Sequence, residues 1–430
     1  MQQLFDKKNL FSSKNFIIFI YLLPACLVTG PAIADIIVTI SSIFFLIITF
    51  KKKLFKYYNN NFFKFFIVIW IYLIFCSLVS DYPFFSLKTS LTYIRFIIFS
   101  VFIYYLLDTR ENFLNNFFLF LLVTISLVVF DGYIQFFFDY NSLGFPKPHV
   151  MERLSGFFND EWILGSYLSR ILPILLALYF FVQIKNKNLK IYFWALVYLT
   201  IILVFLSGER ASFLLSMITF FALIFFSKKK LLNLFMGIIL ILILAIVVNV
   251  NSKSKNRMIE QTIKGFQFTT DGPIPKPKYL FTYGHTQHFM NAYRMFKDSP
   301  IIGHGPKNFR KKCNITKYSL NQFGCSSHPH NTYFQLLAET GIIGFAFFML
   351  IFVYFSITIF LSLFNKVEKN NIPYFQYKLF LLISFICSLF PLVTTGNFFN
   401  NWLNVVYFLP VGFYLHATKL KKKNNIKQNY

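Results

Sequence analysis

The feature that most constrains this chain is a series of apolar runs, each long enough to cross a lipid bilayer. Crossing takes about 20 apolar residues in a helix, and 56% of the 430 residues are hydrophobic, with 62 Phe and 25 Tyr. Lipid offers the backbone no hydrogen-bond partner, and the runs are too long and too uniformly apolar for barrel strands. We therefore predict an all-α, polytopic integral membrane helical bundle rather than a soluble fold.

The hydropathy pattern predicts about twelve transmembrane helices. Neither an internal repeat nor a low-complexity linker is visible, so a single membrane domain, residues 1–430, is the simplest organisation. A large polar loop, residues 251–340, interrupts the pattern, and residues 285–298 within it are expected to be helical. The expected spans are centred on 16–29, 32–50, 62–79, 87–107, 113–138, 161–181, 191–207, 210–226, 231–250, 341–364, 374–392 and 400–417.

The basic residues predict how these helices are oriented. Lys and Arg cluster in alternate connections, whereas the short connections on the other side hold only Lys147, Arg153 and Arg210. The positive-inside rule then places both termini in the cytoplasm and the 251–340 loop in the periplasm, the long loop being exempt from the rule. The formal net charge of +26 is thus mainly a topology signal. Nucleic-acid binding is not expected, because the cations flank apolar spans in short clusters.

The cysteines fall into two groups. Cys26, Cys76 and Cys387 lie inside apolar runs and are expected to be small core residues. Cys313 and Cys325 lie in the outer loop, in what would be an oxidising compartment, so a disulfide that stabilises by about 3 kcal/mol is plausible. Two free thiols are the alternative.

Titratable residues collect on the predicted outer side. Six of the seven histidines lie there, and only His416 does not. Histidine is the side chain best suited to accept a proton near neutral pH. Arg95 and Arg170 lie near or within spans, where a lone guanidinium costs roughly 3 kcal/mol or more. Each is expected to face the protein interior or a wet cavity, and either to pair with Asp131 or Glu161 or to bind a ligand.

Two segments have the chemistry of anion sites. Arg210 lies at an outer membrane boundary in the turn SGERAS, where its guanidinium could clamp a phosphate. An ion pair with Glu209 or interfacial anchoring is the alternative. The turn at Gly303, Gly305 and Pro306 leads into the basic segment KNFRKKC, an arrangement that could direct backbone amides and cations at an anion.

The most specific motif is HPHNTYFQLLAETGIIG, residues 328–344. His330 and Asn331 are followed by nine residues, then Gly341, two more residues and Gly344. This spacing resembles the signature of the bacterial O-antigen ligase family. ERLSGFFND, LSGERASFL and FKDSPIIGHGPKNF resemble further segments of that family, so the resemblance covers roughly residues 150–350. A purely structural alternative is that His330 starts a helix capped by Asn331, with the two glycines packing against neighbouring helices.

The resemblance implies roles for several residues. His330 would be the base or central catalytic group, Arg210 would bind a donor pyrophosphate, and Arg153 would be a second phosphate or sugar contact. Asn331 belongs to the motif and is counted with the substrate-binding residues.

The chain departs from the family pattern at one point. Many members have an arginine in the helix ahead of the Asp and Pro turn, where this sequence has Gln287, His288 and Asn291. Either His288 substitutes for it, or nearby cations supply the charge; these are Arg294, Lys307 and Arg310.

The function implied is an O-antigen ligase in the bacterial inner membrane, surrounded by membrane lipids. It would transfer a glycan from undecaprenyl pyrophosphate to a lipid A core acceptor by inverting chemistry without a cofactor. No metal is predicted, because a partial site at Cys325, His328 and His330 lacks an evident fourth ligand. An O-antigen polymerase or a protein O-oligosaccharyltransferase is the alternative within the superfamily. A polytopic transporter is the alternative from another class of protein. A transporter would predict inverted repeats and polar or broken helices at mid-membrane, whereas no clear repeat is visible and the polar residues collect at the outer edge.

Overall fold

In the computed structural model the chain folds as a helical bundle. The structure describes residues 14–148, 153–227, 230–266, 281, 283–319, 324–364 and 372–428, and in that part all regular secondary structure is helical. The all-α prediction is confirmed. The helices of eight residues or more are α1 (Lys14–Tyr21), α2 (Pro31–Lys52), α3 (Asn61–Leu78), α4 (Pro83–Thr109), α5 (Phe113–Phe138), α6 (Leu164–Val182), α7 (Lys187–Leu206), α8 (Arg210–Phe226), α9 (Lys230–Val250), α10 (Tyr283–Asp298), α11 (Thr332–Ser362), α12 (Ile372–Leu389) and α13 (Asn401–Gln428).

The helices match the predicted spans closely. Eight helices of the described part are long and apolar enough to cross a membrane, and α8 and α12 are shorter apolar helices. The first predicted span, 16–29, is divided between α1 and a single helical turn, Leu23–Cys26. The remaining predicted spans each coincide with one helix, so the polytopic membrane architecture is confirmed.

Helix α6 is the centre of the bundle. It packs against α5, α7, α8 and α12, and its residues are buried from Leu164 to Leu178 except Ser166. By contrast, α9 and the second half of α11 expose most of their apolar side chains, as helices that face lipid do. The central position of α6 brings its N-terminal turns, including Arg170, into the interior.

A backbone-to-backbone contact explains the glycines of the histidine motif. Helix α11 is kinked at Gly341, which has φ 62°, and a Cβ atom there would lie 2.2 Å from the carbonyl oxygen of Ile301. The amide of Ile342 donates to the carbonyl of Pro300 at 2.8 Å. The segment after α10 is thereby fixed on the first turns of α11, and only glycine fits at the kink. The predicted helix 285–298 is confirmed as α10.

The predicted partners of Arg95 were wrong. Arg95 of α4 pairs with Asp35 of α2, with Nη2 and Oδ1 2.8 Å apart. Asp131 instead accepts from the amide and hydroxyl of Ser142 at 2.8 and 2.5 Å. The hydropathy pattern shows where a charge enters the membrane but not which helix lies opposite, so it could not identify Asp35.

Candidate functional site

A cavity of about 920 Å³ lies at one end of the bundle, where α2, α6, α8, α11 and α13 begin. This volume suits a small-molecule or glycan-sized ligand. Its wall contains two carboxylates, Glu161 and Glu209, and a larger number of basic side chains. The arginine and histidine side chains of the wall are Arg153, Arg170, Arg210, Arg257, Arg310, His285, His328 and His330.

Three of the arginines form one group, Arg153, Arg210 and Arg257. The guanidinium Nη1 of Arg210 donates to the carbonyl of Gln261 and the hydroxyl of Thr262, both at 3.2 Å. Arg257 donates from Nε to the carbonyl of Gly208 at 3.2 Å. Burial, and then the charges of Arg153 and Arg210, lower the pKa of Arg257 to about 10. Arg153 and Arg257 both pack against Gly208, where a Cβ atom would lie 3.6 and 3.1 Å from their Cγ atoms, and the charge of Arg210 acts on both.

The carboxylate beside this group is Glu209, whose charge acts on Arg153 and Arg257 but which forms no ion pair with them in the described part of the chain. Glu209 is buried and accepts from the amides of Gly165 and Ser166 at 2.7 and 2.9 Å and from the Ser212 hydroxyl at 2.9 Å. It therefore binds the exposed amides at the N-terminus of α6. Within the described ranges no ion pair joins it to Arg210, so the alternative of an Arg210–Glu209 pair is not seen.

Imidazole rings gather beside the arginine group. The centroid of the His330 ring lies 4.2 Å from that of His328, 5.1 Å from His288 and 5.4 Å from His285. Burial, and then the three neighbouring rings, lower the pKa of His330 to about 3. The ring of His330 is thus neutral at pH 7 and retains a free lone pair. Among the residues that the structure covers, no group of three or more His, Cys, Asp or Glu is arranged to hold a metal ion.

Several donors in the cavity wall have no partner in the described part of the chain. They are Nε of Arg153, Nε1 of Trp162, Nε of Arg170 and Nδ2 of Asn397. Buried polar groups are nearly always hydrogen-bonded in folded proteins, so unpaired ones call for an explanation. All four are donors, which indicates a ligand rich in oxygen acceptors, such as a phosphate or a sugar acid.

The structure brings together most of the residues predicted from the motifs. His330, Arg210, Arg153 and Arg310 line the cavity, and the ring of His288 packs against that of His330 without lining it. Arg294 and Lys307 do not contribute to the wall. Arg257 was missed, because nothing in the local sequence distinguishes it from the other basic residues of the 251–340 loop.

The side chain of Asn331 makes hydrogen bonds within the protein. Its Oδ1 accepts from the amides of Tyr333 and Phe334 at 2.9 and 3.2 Å, so it caps α11, and its Nδ2 donates to the carbonyls of Pro391 and Val393. The side chain thus ties the His330 segment to the α12–α13 connection. A direct contact of Asn331 with substrate stays a prediction.

The glycine turn and basic segment also serve the fold. The amides of Lys307 and Phe309 both donate at 2.9 Å to the carboxylate of Glu339, a buried residue of α11 that also accepts from Gln335. The anion expected at these amides is therefore part of the protein. The consequence for the site is that the turn carrying Arg310 is held against α11.

A disulfide reinforces this arrangement. Cys313 and Cys325 are paired, with Cα atoms 5.1 Å apart. The bond joins Cys313, at the end of the basic turn, to Cys325 in the segment that leads into His328 and His330. The predicted cystine thus lies beside the cavity and restrains two of its walls relative to each other.

Comparison with known proteins agrees with this site. Residues 194–349 match the family model described as O-antigen ligase, and no curated protein matches the chain. The matched segment includes Arg210, Arg257, Arg310, His328 and His330, which supply much of the basic cavity wall. Members of this family are membrane glycosyltransferase-like enzymes, either ligases or polymerases. The match over residues 194–349 supports a place for the chain in the O-antigen ligase-like superfamily.

Proposed function

We propose that this protein is a ligase-type membrane glycosyltransferase, which moves a glycan from undecaprenyl pyrophosphate to a hydroxyl group of a lipid A core acceptor. The observation that carries the proposal is the convergence of His330 with Arg153, Arg210 and Arg257 in one cavity. The proposal places that cavity at the periplasmic face of the bacterial inner membrane, with both termini in the cytoplasm.

The donor pyrophosphate suits the arginine group. Guanidinium groups bind phosphate oxygens in pairs, and such charge-assisted hydrogen bonds are roughly twice as strong as neutral ones. Glu209 is hydrogen-bonded to the N-terminus of α6 and forms no ion pair with these arginines among the described residues, so one carboxylate stands beside three cations. The unpaired Nε of Arg153 and Nε1 of Trp162 supply further donors for the same oxygens.

In the proposed transfer, His330 accepts the proton and the pyrophosphate accepts the electron pair of the broken bond. A ring nitrogen of His330 takes the proton of the acceptor hydroxyl while the hydroxyl oxygen forms a bond to the anomeric carbon. The bond from that carbon to the pyrophosphate oxygen breaks, and its electron pair leaves with undecaprenyl pyrophosphate. The arginines stabilise the negative charge that grows on the leaving group. The proton on His330 is then released to water.

The low pKa of His330 fits a base that is activated by its substrate. With a pKa of about 3, the ring is neutral but only weakly basic. A bound pyrophosphate brings negative charge beside the ring, and nearby opposite charge raises the pKa of an imidazole. His330 also has a left-handed backbone, φ 57°, a conformation that costs on the order of 1 kcal/mol and is common at functional sites.

Replacement of His330 tests the proposal and separates a ligase from a polymerase. In cells carrying His330→Ala, lipopolysaccharide on a gel should lose the polymer attached to core while lipid-linked polymer accumulates. Single repeat units on core would instead identify a polymerase. His416→Ala is the matched control, because His416 does not line the cavity and its loss should leave the gel unchanged. A wild-type gel from His330→Ala, at equal protein level, would rule out the proposed base.

Transfer assayed with the purified protein tests the proposal that the reaction needs no metal ion. Transfer from an undecaprenyl-linked glycan to lipid A core should continue in the presence of a chelator. Loss of transfer that is restored by adding back a divalent cation would show that the arginines do not suffice.

A further inference from the structure

Arg170 is a buried cation without a carboxylate partner in the described ranges. It lies in the second turn of α6, is 3% exposed and lines the cavity. Its Nη1 donates to the carbonyl and the hydroxyl of Ser166 at 3.2 and 2.6 Å. Its Nε has no partner in the part of the chain that the structure covers. The guanidinium is therefore held by Ser166 and by the Tyr407 side chain, while its Nε atom has no partner among the described residues.

The carboxylates that could neutralise Arg170 are used elsewhere. Glu209 accepts from Gly165, Ser166 and Ser212, and Asp131 accepts from Ser142. Glu161 lines the cavity, but no ion pair between it and Arg170 exists among the described residues. An uncompensated guanidinium inside a membrane bundle is costly and in other proteins marks a ligand or ion pathway.

Arg170 lies in a different part of the cavity wall from the arginine group, whose members contact Gly208, Gln261 and Thr262. Arg170 instead lies close to the Tyr407 side chain of α13, which also neighbours Thr332. Thr332 is the first residue of α11 and follows His330 by two positions. The cavity wall thus has a second cationic centre, where α6 and α13 meet.

We propose that Arg170 forms a second anion subsite of the cavity, which binds a phosphate or carboxylate group of the substrate. Ser166 orients the guanidinium, and its unpaired Nε is available for an oxyanion. Asn397, 6% exposed, lines the same cavity with an unpaired Nδ2 donor. The subsite deepens the proposed function and rests on it only for the identity of the substrate. The oxyanion comes either from the donor pyrophosphate or from an acidic sugar of the glycan.

Binding of simple anions to the purified full-length protein tests the subsite. The probes are inorganic pyrophosphate and galacturonate, with galactose as the neutral control, and the signal is tryptophan fluorescence, since Trp162 and Trp402 line the cavity. Arg170→Gln should weaken binding of one anion by about tenfold or more, because a hydrogen bond to a charged group is lost. Arg95→Gln removes an arginine that is paired outside the cavity and should leave both affinities unchanged.

The two arms identify the source of the oxyanion. Weaker binding of pyrophosphate alone assigns the subsite to the donor, and weaker binding of galacturonate alone assigns it to an acidic sugar. Unchanged affinity of Arg170→Gln for both anions, or no binding of either by the wild type, would overturn the subsite.

Thermal stability separates this role from a structural one. Ligand-free Arg170→Gln should melt no lower than the wild type, because an unpaired buried charge is removed, and it should lose the stabilisation that the anion gives the wild type. A lower melting temperature with unchanged anion affinity would mean that Arg170 only supports the fold. His330→Ala should lose transfer. Transfer that survives in His330→Ala would therefore refute the base and leave the subsite standing.

Discussion

Two regions of the bundle hold an arginine in opposite ways. Around Arg95, the guanidinium contacts Asp35 through Nη2 and Nε at 2.8 and 3.0 Å, and Asn401 donates to the other oxygen of that carboxylate at 2.9 Å. Around Arg170, the described residues provide hydrogen bonds to Ser166 but no carboxylate. The first arrangement joins α2, α4 and α13, whereas the second leaves charge available inside a cavity. An ion pair with a carboxylate therefore distinguishes Arg95, which joins helices, from Arg170, which has no carboxylate partner among the described residues.

The same contrast extends to the acidic residues. At the opposite end of the bundle, Asp108 is shared by Lys419 and by the hydroxyl of Tyr57. Near the cavity, Glu209 and Glu339 are satisfied largely by backbone amides. These hydrogen bonds hold both carboxylates against backbone amides, and among the described residues neither forms an ion pair with an arginine. The cavity is thus basic through the placement of its acids as well as through the number of its arginines.

The largest expected effect is on kcat for glycan transfer, when an arginine of the cavity, Arg210, is replaced instead of the ion-paired Arg95. Arg210→Gln should lower kcat for glycan transfer by about 100-fold or more, since one donor to a developing negative charge is worth about 3 kcal/mol. Arg95→Gln should change kcat by less than about threefold per folded molecule, because Arg95 pairs outside the cavity wall. Transfer by the purified proteins measures both. Equal losses in the two variants would mean that pairing does not separate the two kinds of arginine.

The sequence motifs predicted the convergence of His330 and Arg210, because family spacing carries information about residues that meet only in the fold. They could not predict Arg257, whose segment reads as an ordinary polar and basic loop, SKSKNRM. They also misassigned the turn after α10. A lone Glu in the run LLAETGIIG was the available signal that the amides of KNFRKK have an internal partner. Only the packing of that turn on α11 shows Glu339 at 2.9 Å from the amides of Lys307 and Phe309.

Membrane spans were predictable for a different reason. Hydropathy over about 20 residues is set by the bilayer and needs no knowledge of neighbours. Partners across the bundle depend on how the helices pack, which is why the expected pairing of Arg95 with Asp131 or Glu161 failed. Asp35 is a lone carboxylate in the second predicted span and was itself a signal, but the sequence does not show that α2 lies opposite Arg95.

A smaller effect, on stability, is expected from breaking the ion pair between Arg95 and Asp35. Asp35→Asn leaves Arg95 without its counter-charge and should lower the free energy of unfolding by about 1–3 kcal/mol, since both side chains are only partly exposed. Arg95→Met combined with Asp35→Leu should recover most of this loss, because removing both charges also removes the cost of burying them. Thermal melting of the purified variants measures the difference. A double variant as unstable as Asp35→Asn would show that shape, not charge, holds α2 against α4.

The smallest expected effect is on the pH dependence of transfer, and it follows from the unpaired charges of the cavity. In the free enzyme the pKa of His330 is lowered to about 3, so the ring stays neutral and kcat/KM should not fall through this group between about pH 8 and 5. Bound pyrophosphate raises that pKa, so kcat should fall as the pH drops through the raised value, by less than about tenfold at pH 5.

The neighbouring imidazoles provide the control for this profile. The charge of His328 is the largest electrostatic cause of the lowered pKa of His330, although burial contributes more. His328→Asn should therefore move the acid limb of kcat/KM toward higher pH. Its effect on the limb of kcat should be smaller, because the bound anion already favours protonation there. Acid limbs of kcat and kcat/KM that coincide in the wild type would mean that the donor does not activate the base, and that the unpaired cations around His330 alone set its proton affinity.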